Sequence, residues 1–134
     1  MYLVDTSVMI DVLNEVDNSQ TALFHRIEQY SLPYGISEYS YLELLQGVRS
    51  DKAFAELKEA LSTIRIYGLT EGLLSLECAA NLYRRCRQAG FTPRSTIDLL
   101  IAQVAIDNHL ELLHNDRDFD AIAACVDELM IVTV

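Results

Sequence analysis

The chain has no tryptophan, two prolines, five glycines and only ten basic residues against twenty acidic ones. So little proline and glycine excludes a collagen-like or low-complexity chain, and no internal repeat is visible. No apolar run is long enough to span a bilayer, which excludes a protein anchored by helical spans. Met1-Tyr2-Leu3-Val4-Asp5 lacks the basic start and the apolar length of a signal peptide, so a cytoplasmic location with no membrane partner is expected. The cysteines, Cys78, Cys86 and Cys125, are odd in number and lack metal-ligand spacing; reduced thiols packed as small hydrophobes are expected. The only lysines are Lys52 and Lys58, in one expected helix away from any expected strand end. That argues against phosphoryl-transfer enzymes that set a lysine beside a strand-end aspartate. A net charge of −10 argues against nucleic-acid binding, because phosphate contacts want Lys and Arg. The objection weakens if several acids are neutralised by metal. The basic residues are also mostly Arg, the better phosphate ligand.

What is present is ordinary globular material. Half of the 134 residues are apolar and about a fifth are charged, which predicts one domain over residues 1–134. Tyr2-Leu3-Val4 reads as a short buried strand, and Asp5-Thr6-Ser7 offers cap residues for a helix through Val8 and Leu13. Leu23, Phe24, Ile27 and Tyr30 carry a second helix, which Pro33 ends; Tyr34–Ser37 is a second strand. A third helix has Tyr41, Leu44, Leu45 and Val48 on one face and Glu43 off it. A fourth carries Phe54, Leu57 and Leu61, before a strand at Ile64–Tyr67. Thr70 to Ala89 is the longest helical pattern, with Leu73, Leu76, Ala80, Tyr83 and Cys86 expected on its buried face. The Asp98 helix follows, then the strand Glu111–His114, a helix with Phe119 and Ile122, and a last strand at Met130–Thr133. Strands alternating with helices predict a mostly parallel sheet covered on both faces, an α/β architecture.

Ligand sites in such sheets lie at the carboxyl ends of the strands. Asp5 and Asp116 fall at such ends, and Asp98 opens a helix that returns to the same edge. Each acid also has an ordinary reading. Asp5 can cap its helix, Asp98 can bond the Ser95 backbone in a capping box, and Asp116 and Asp118 can form turns. Glu43 can be a solvated helix carboxylate. Their convergence on one edge is the informative feature. Two carboxylates 4 Å apart repel by about 1 kcal/mol in water and about 4 at an effective dielectric of 20. A divalent cation is the simplest compensation. All-carboxylate sets select Mg²⁺ or Mn²⁺, which activate water and stabilise charge on the oxygens of a phosphodiester. His25, His109 and His114 are too dispersed for a zinc site; His114, beside the acids, is open to a structural or a substrate-touching role. Arg94 is placed either to contact a substrate phosphate or to pair with Asp98. Arg84, Arg85 and Arg87 form either a solvated helix face or a track for nucleic acid.

Four segments together resemble a known family: Asp5-Thr6-Ser7 after an apolar strand, Glu43-Leu44-Leu45-Gln46-Gly47, Asp98-Leu99-Leu100-Ile101-Ala102, and Asn115-Asp116-Arg117-Asp118-Phe119. In order, spacing and total length they are similar to the PIN domains of VapC toxins. The resemblance implies a three-layer α/β/α sandwich with Asp5's strand central. It implies Mg²⁺- or Mn²⁺-dependent endoribonuclease activity with Asp5, Glu43, Asp98 and Asp116 as the acidic quartet. Asp118 would be an auxiliary ligand and Ser7 a hydroxyl near metal and substrate. It further implies a homodimer, an RNA substrate such as transfer RNA, and silencing by a cognate VapB-type antitoxin whose basic tail enters the acidic site. Two positions depart from the family: His114 stands where Thr or Ser is common, and Ser7 where Asn is frequent. The other readings are a catalytically silent module that binds a partner protein, and a different Mg²⁺ phosphohydrolase.

Overall fold

A computed structural model describes all residues 1–134. In chain order the elements are β1 (Tyr2–Val4), α1 (Thr6–Leu13), α2 (Ser19–Gln29), β2 (Tyr34–Ser37), α3 (Glu38–Gln46), α4 (Asp51–Leu61), β3 (Arg65–Tyr67), α5 (Leu73–Gln88), α6 (Thr96–Asp107), β4 (Glu111–Leu113) and α7 (Arg117–Cys125). The four strands form one sheet in the order β3-β2-β1-β4, and every pairing is parallel. The expected sheet is therefore present, with β1 in an interior position.

Alternation along the strands builds the two flanking layers. Leu3 and Leu112 point to one face and pack with Leu82, Leu99 and Phe119 from α5, α6 and α7. Their sequence neighbours Val4 and Leu113 point to the other, against Val8, Phe24, Ile27, Leu44 and Leu61 from α1 to α4. Each such side chain, fully buried, contributes about 1.5–3 kcal/mol. All three cysteines are free thiols, and Cys86 is fully buried in the first of these layers.

Two sequence expectations are corrected. Helix α5 buries Ser75, Ala79, Leu82 and Cys86, whereas Leu73 is 77% and Leu76 45% exposed. The helix docks through Ala79, Leu82 and Cys86, and on the same face the Ser75 hydroxyl donates to Asp107 Oδ2 at 2.6 Å, which leaves Leu73 and Leu76 outward. The expected strand at Met130–Thr133 is reduced to one parallel bridge, Ile131 to Leu112. Leu112 donates to the Met130 carbonyl at 2.8 Å and accepts the Val132 N–H at 2.9 Å, and the segment makes no further pairing with β4.

Gly35 in β2 marks a close approach. A Cβ there would lie 2.4 Å from the Arg65 carbonyl oxygen and 2.6 Å from the Tyr67 ring. Gly35→Ala is expected to destabilise the chain by about 1–3 kcal/mol through overpacking. Urea denaturation checks this: the midpoint falls with an unchanged slope.

Candidate active site

The chain runs β1, β2, β3 to one side of the sheet and then returns to place β4 on the other side of β1. The carboxyl ends of β1 and β4 therefore flank a topological switch point, where open parallel sheets form their ligand crevice. Asp5 follows β1 directly. Asp116 follows β4 after the turn His114-Asn115. Asp98 is in the first turn of α6, and Glu43 reaches in from α3. The N-termini of α1 and α7, with positive dipole ends, are capped by Asp5 and Asp116 themselves. The capping reading of these two acids is met, and both also stand at the edge where the candidate site lies. The capping box proposed for Asp98 is not formed; Ser95 makes no side-chain cap bond, and the Asp98 carboxylate lies with the other acids instead.

Hydrogen bonds hold Asp5, Asp116 and Glu43 in place, while the Asp98 carboxylate makes none. Asp5 Oδ2 accepts the Ser7 N–H at 3.0 Å and the Ser7 hydroxyl at 2.6 Å. Ser7 Oγ in turn accepts the Asn115 N–H at 2.9 Å, tying the turn after β4 to the helix after β1. The Asn115 amide also donates to Asp11 on α1 at 3.0 Å. Asp116 Oδ1 accepts the Asp118 N–H at 2.9 Å. Glu43 Oε1 accepts the Thr6 hydroxyl at 2.7 Å, and that hydroxyl lies 2.9 Å from the buried Ser40 hydroxyl. Ser40 was not singled out from the sequence, and Thr6 and Asn115, though inside two of the matching segments, were given no role at the site. The available signal was Ser40, a small hydroxyl one turn before Leu44 on an otherwise apolar helix face.

Oxygens of Asp98, Asp116 and Asp118 lie within 4.8 Å of one another. Burial first, then the charges of Asp5, Asp116, Asp118 and Glu43, push the Asp98 carboxyl up to about 7. Burial likewise raises Asp5, against the opposing pull of its Ser7 bonds. All five acids expected at the site are thus within electrostatic reach of one point. A hard, all-oxygen donor set that holds an excess proton near neutrality fits a divalent cation, which would take that proton's place.

Arg94 pairs with Asp118 rather than with Asp98. Its Nε and Nη2 donate to both carboxylate oxygens at 3.0–3.1 Å, leaving the side chain 71% exposed. On α5, Arg84 bonds Asn81, Arg85 bonds Glu128 and Arg87 covers the Tyr83 ring.

A family model described as PIN domain matches residues 2–124. The chain belongs to the PIN domain family. Among curated proteins, this PIN domain is 28% identical over 124 residues to VapC ribonuclease Mb1587 of Mycobacterium bovis, covering 92% of each chain. It is equally similar to Ribonuclease VapC11 of Mycobacterium tuberculosis, with the same coverage. Among solved structures, it superposes on a chain of VapBC2 from Rickettsia felis with a TM-score of 0.76, at 20% identity and with 98% and 96% of the two chains covered. A toxin–antitoxin complex from Klebsiella pneumoniae gives 0.71 at 20% identity, covering 99% and 97%. These superpositions establish the fold, a three-layer PIN-like α/β arrangement. No helix of the PIN domain is long and apolar enough to cross a membrane.

The raised Asp98 carboxyl couples stability to pH. Its carboxyl holds a proton to about 7 in the folded chain but to about 3.9 when unfolded. The folded state therefore binds the proton more tightly, and metal-free stability falls as pH rises from about 4 to about 7. Asp98→Asn cannot ionise, so it is expected to flatten this slope and to raise the metal-free Tm at pH 8 by about 2–6 °C. Thermal denaturation in chelator across pH 4–8 checks both.

Proposed function

We propose that this PIN domain is a divalent-metal-dependent endoribonuclease, the toxin of a type II toxin–antitoxin pair, acting in the cytoplasm and silenced by a cognate VapB-type antitoxin. The observation that carries the reading is the convergence of five acids at the β1/β4 switch point, with Asp98 held up to about 7 by burial and by the other four. The ribonuclease names of the curated relatives supply the substrate class. Asp5, Asp98 and Asp116 would hold Mg²⁺ or Mn²⁺, with Glu43 completing the set. When bound, such an ion activates water and stabilises the charge that develops on phosphoryl oxygens.

The chain's own groups do the positioning. Glu43, steadied by Thr6, orients the attacking water. Asp118 seats Arg94, whose Nη1 makes no bond within the protein and is left to meet a phosphate oxygen. Ser7, expected to touch substrate, has its hydroxyl proton on Asp5 and its lone pair on the Asn115 amide; its place is to brace the two acid-bearing turns. A structured RNA such as transfer RNA is the proposed substrate.

Surface character supports the protein partners. Ile10, Leu13, Leu44, Val48 and Leu57 line a trough that opens at Glu43, suited to an apolar helix followed by a basic residue. The net charge of −10 favours a cationic segment. The outward Leu73, Leu74 and Leu76 of α5 offer a face for a second copy, as a homodimer needs.

Asp98→Asn is expected to abolish RNA cleavage and growth arrest while the fold is kept; retained metal-dependent cleavage rejects the assignment. Added Mn²⁺ raises the Tm of the wild-type chain by linkage and raises that of Asp98→Asn less, an outcome a silent binding module would not give. Arg94→Ala is expected to weaken RNA binding across sequences and to reduce its salt slope by about 1, read from binding at several ionic strengths.

A further inference from the structure

The turn after β4 must deliver Asp116 to the site, and side chains capture two successive backbone N–H groups within it. The Asn115 N–H donates to Ser7 Oγ at 2.9 Å, and the Asp116 N–H donates to His114 Nδ1 at 3.2 Å. The second bond is the one a Ser, Thr, Asn or Asp side chain makes to the N–H two residues on. Here an imidazole makes it. Accepting at Nδ1 puts the ring proton on Nε2. Nε2 lies 3.4 Å from the carboxylate of Asp120, in the first turn of the helix that Asp116 caps. The ring is 8% exposed and leans on Phe119 with centroids 5.3 Å apart. It therefore spans from the Asp116 backbone to the body of α7. A hydroxyl at this position can reproduce the first bond but has no second arm.

We propose that His114 is a positioning residue: by accepting the Asp116 N–H at Nδ1 and bracing α7 through Asp120 at Nε2, it sets the direction in which the Asp116 carboxylate enters the site. It touches neither cation nor RNA. This rests on Asp116 being a cation ligand, as proposed above.

The two arms can be separated. His114→Asn places an amide oxygen close to where Nδ1 sits and keeps the acceptor. His114→Gln reaches toward Asp120 but offers no acceptor at the Asp116 N–H. The readout is Mn²⁺ affinity of the RNA-free chain by paramagnetic resonance, with metal-free Tm as the fold control and Asp116→Asn as the ligand control. The expected result is that His114→Asn, which keeps the acceptor and loses the second arm, falls about threefold and His114→Gln loses about tenfold, the latter in the range for groups that orient metal ligands, at similar Tm. Asp120→Ala, which removes the same Nε2 arm that His114→Asn removes, is expected to lower affinity by the same factor of about three. Wild-type affinity in both His114 variants overturns the proposal. So does an equal loss in both that follows a fall in Tm, which marks a packing role only. If His114→Gln fails to fold, His114→Asn and Asp120→Ala decide: a loss in the first well beyond that in the second, or no loss in either, overturns it. If Asp116→Asn itself keeps full Mn²⁺ affinity, the ligand assignment fails, and that outcome is distinguishable from failure of His114 alone.

Discussion

Like-charge repulsion within a confined space is the constraint on which the site end of this molecule depends. Carboxylates at separations under 5 Å repel by several kcal/mol at the effective dielectric of a partly buried site. The fold answers with fixed dipoles. Two helix N-termini are capped by the acids, peptide N–H groups bond Asp5 and Asp116, and a guanidinium pairs with Asp118. What these do not balance appears at Asp98, which makes no side-chain hydrogen bond of its own and keeps its proton to about 7. The remaining imbalance is what a divalent cation would relieve.

The supporting bonds share one form. Asp5 to the Ser7 N–H, His114 to the Asp116 N–H and Asp116 to the Asp118 N–H are all side chain to backbone, two residues on. Each closes a small ring that fixes a side chain relative to its own backbone. Ser7 and Asn115 then join one such ring to the next across the β1/β4 gap. Short loops between parallel strands and helices are thereby made rigid without a large local core, which suits a site that needs oxygens at defined places.

Stability resides elsewhere. The two layers of apolar side chains on either face of the sheet hold the strands together, and the acids stand at their carboxyl edge. Changing a strained functional group and gaining stability while losing activity is the common pattern for such arrangements. The apolar groups left outside, along α5 and around the Glu43 trough, are then the places where protein partners would complete the burial.

Much of this was legible in the linear chain, because helix and strand periodicity and cap residues are local properties. The alternating elements, the parallel sheet and the acids at strand ends follow from short-range patterns around Asp5, Asp98 and Asp116. Three things were not local. The rotation of α5 goes with Leu82 and Cys86 packing into the core and Ser75 meeting Asp107, 32 residues away, rather than with the apolar stripe. The partner of Arg94 is Asp118 and not its near neighbour Asp98, because α7 brings a carboxylate across the gap. The role of Thr6 as the group steadying Glu43 exists only once α1 and α3 pack together. Sequence periodicity determines which face of an element is apolar and where charges stand along the chain; which side chains finally meet depends on how elements rotate and dock, and that is decided by contacts between residues no local pattern relates.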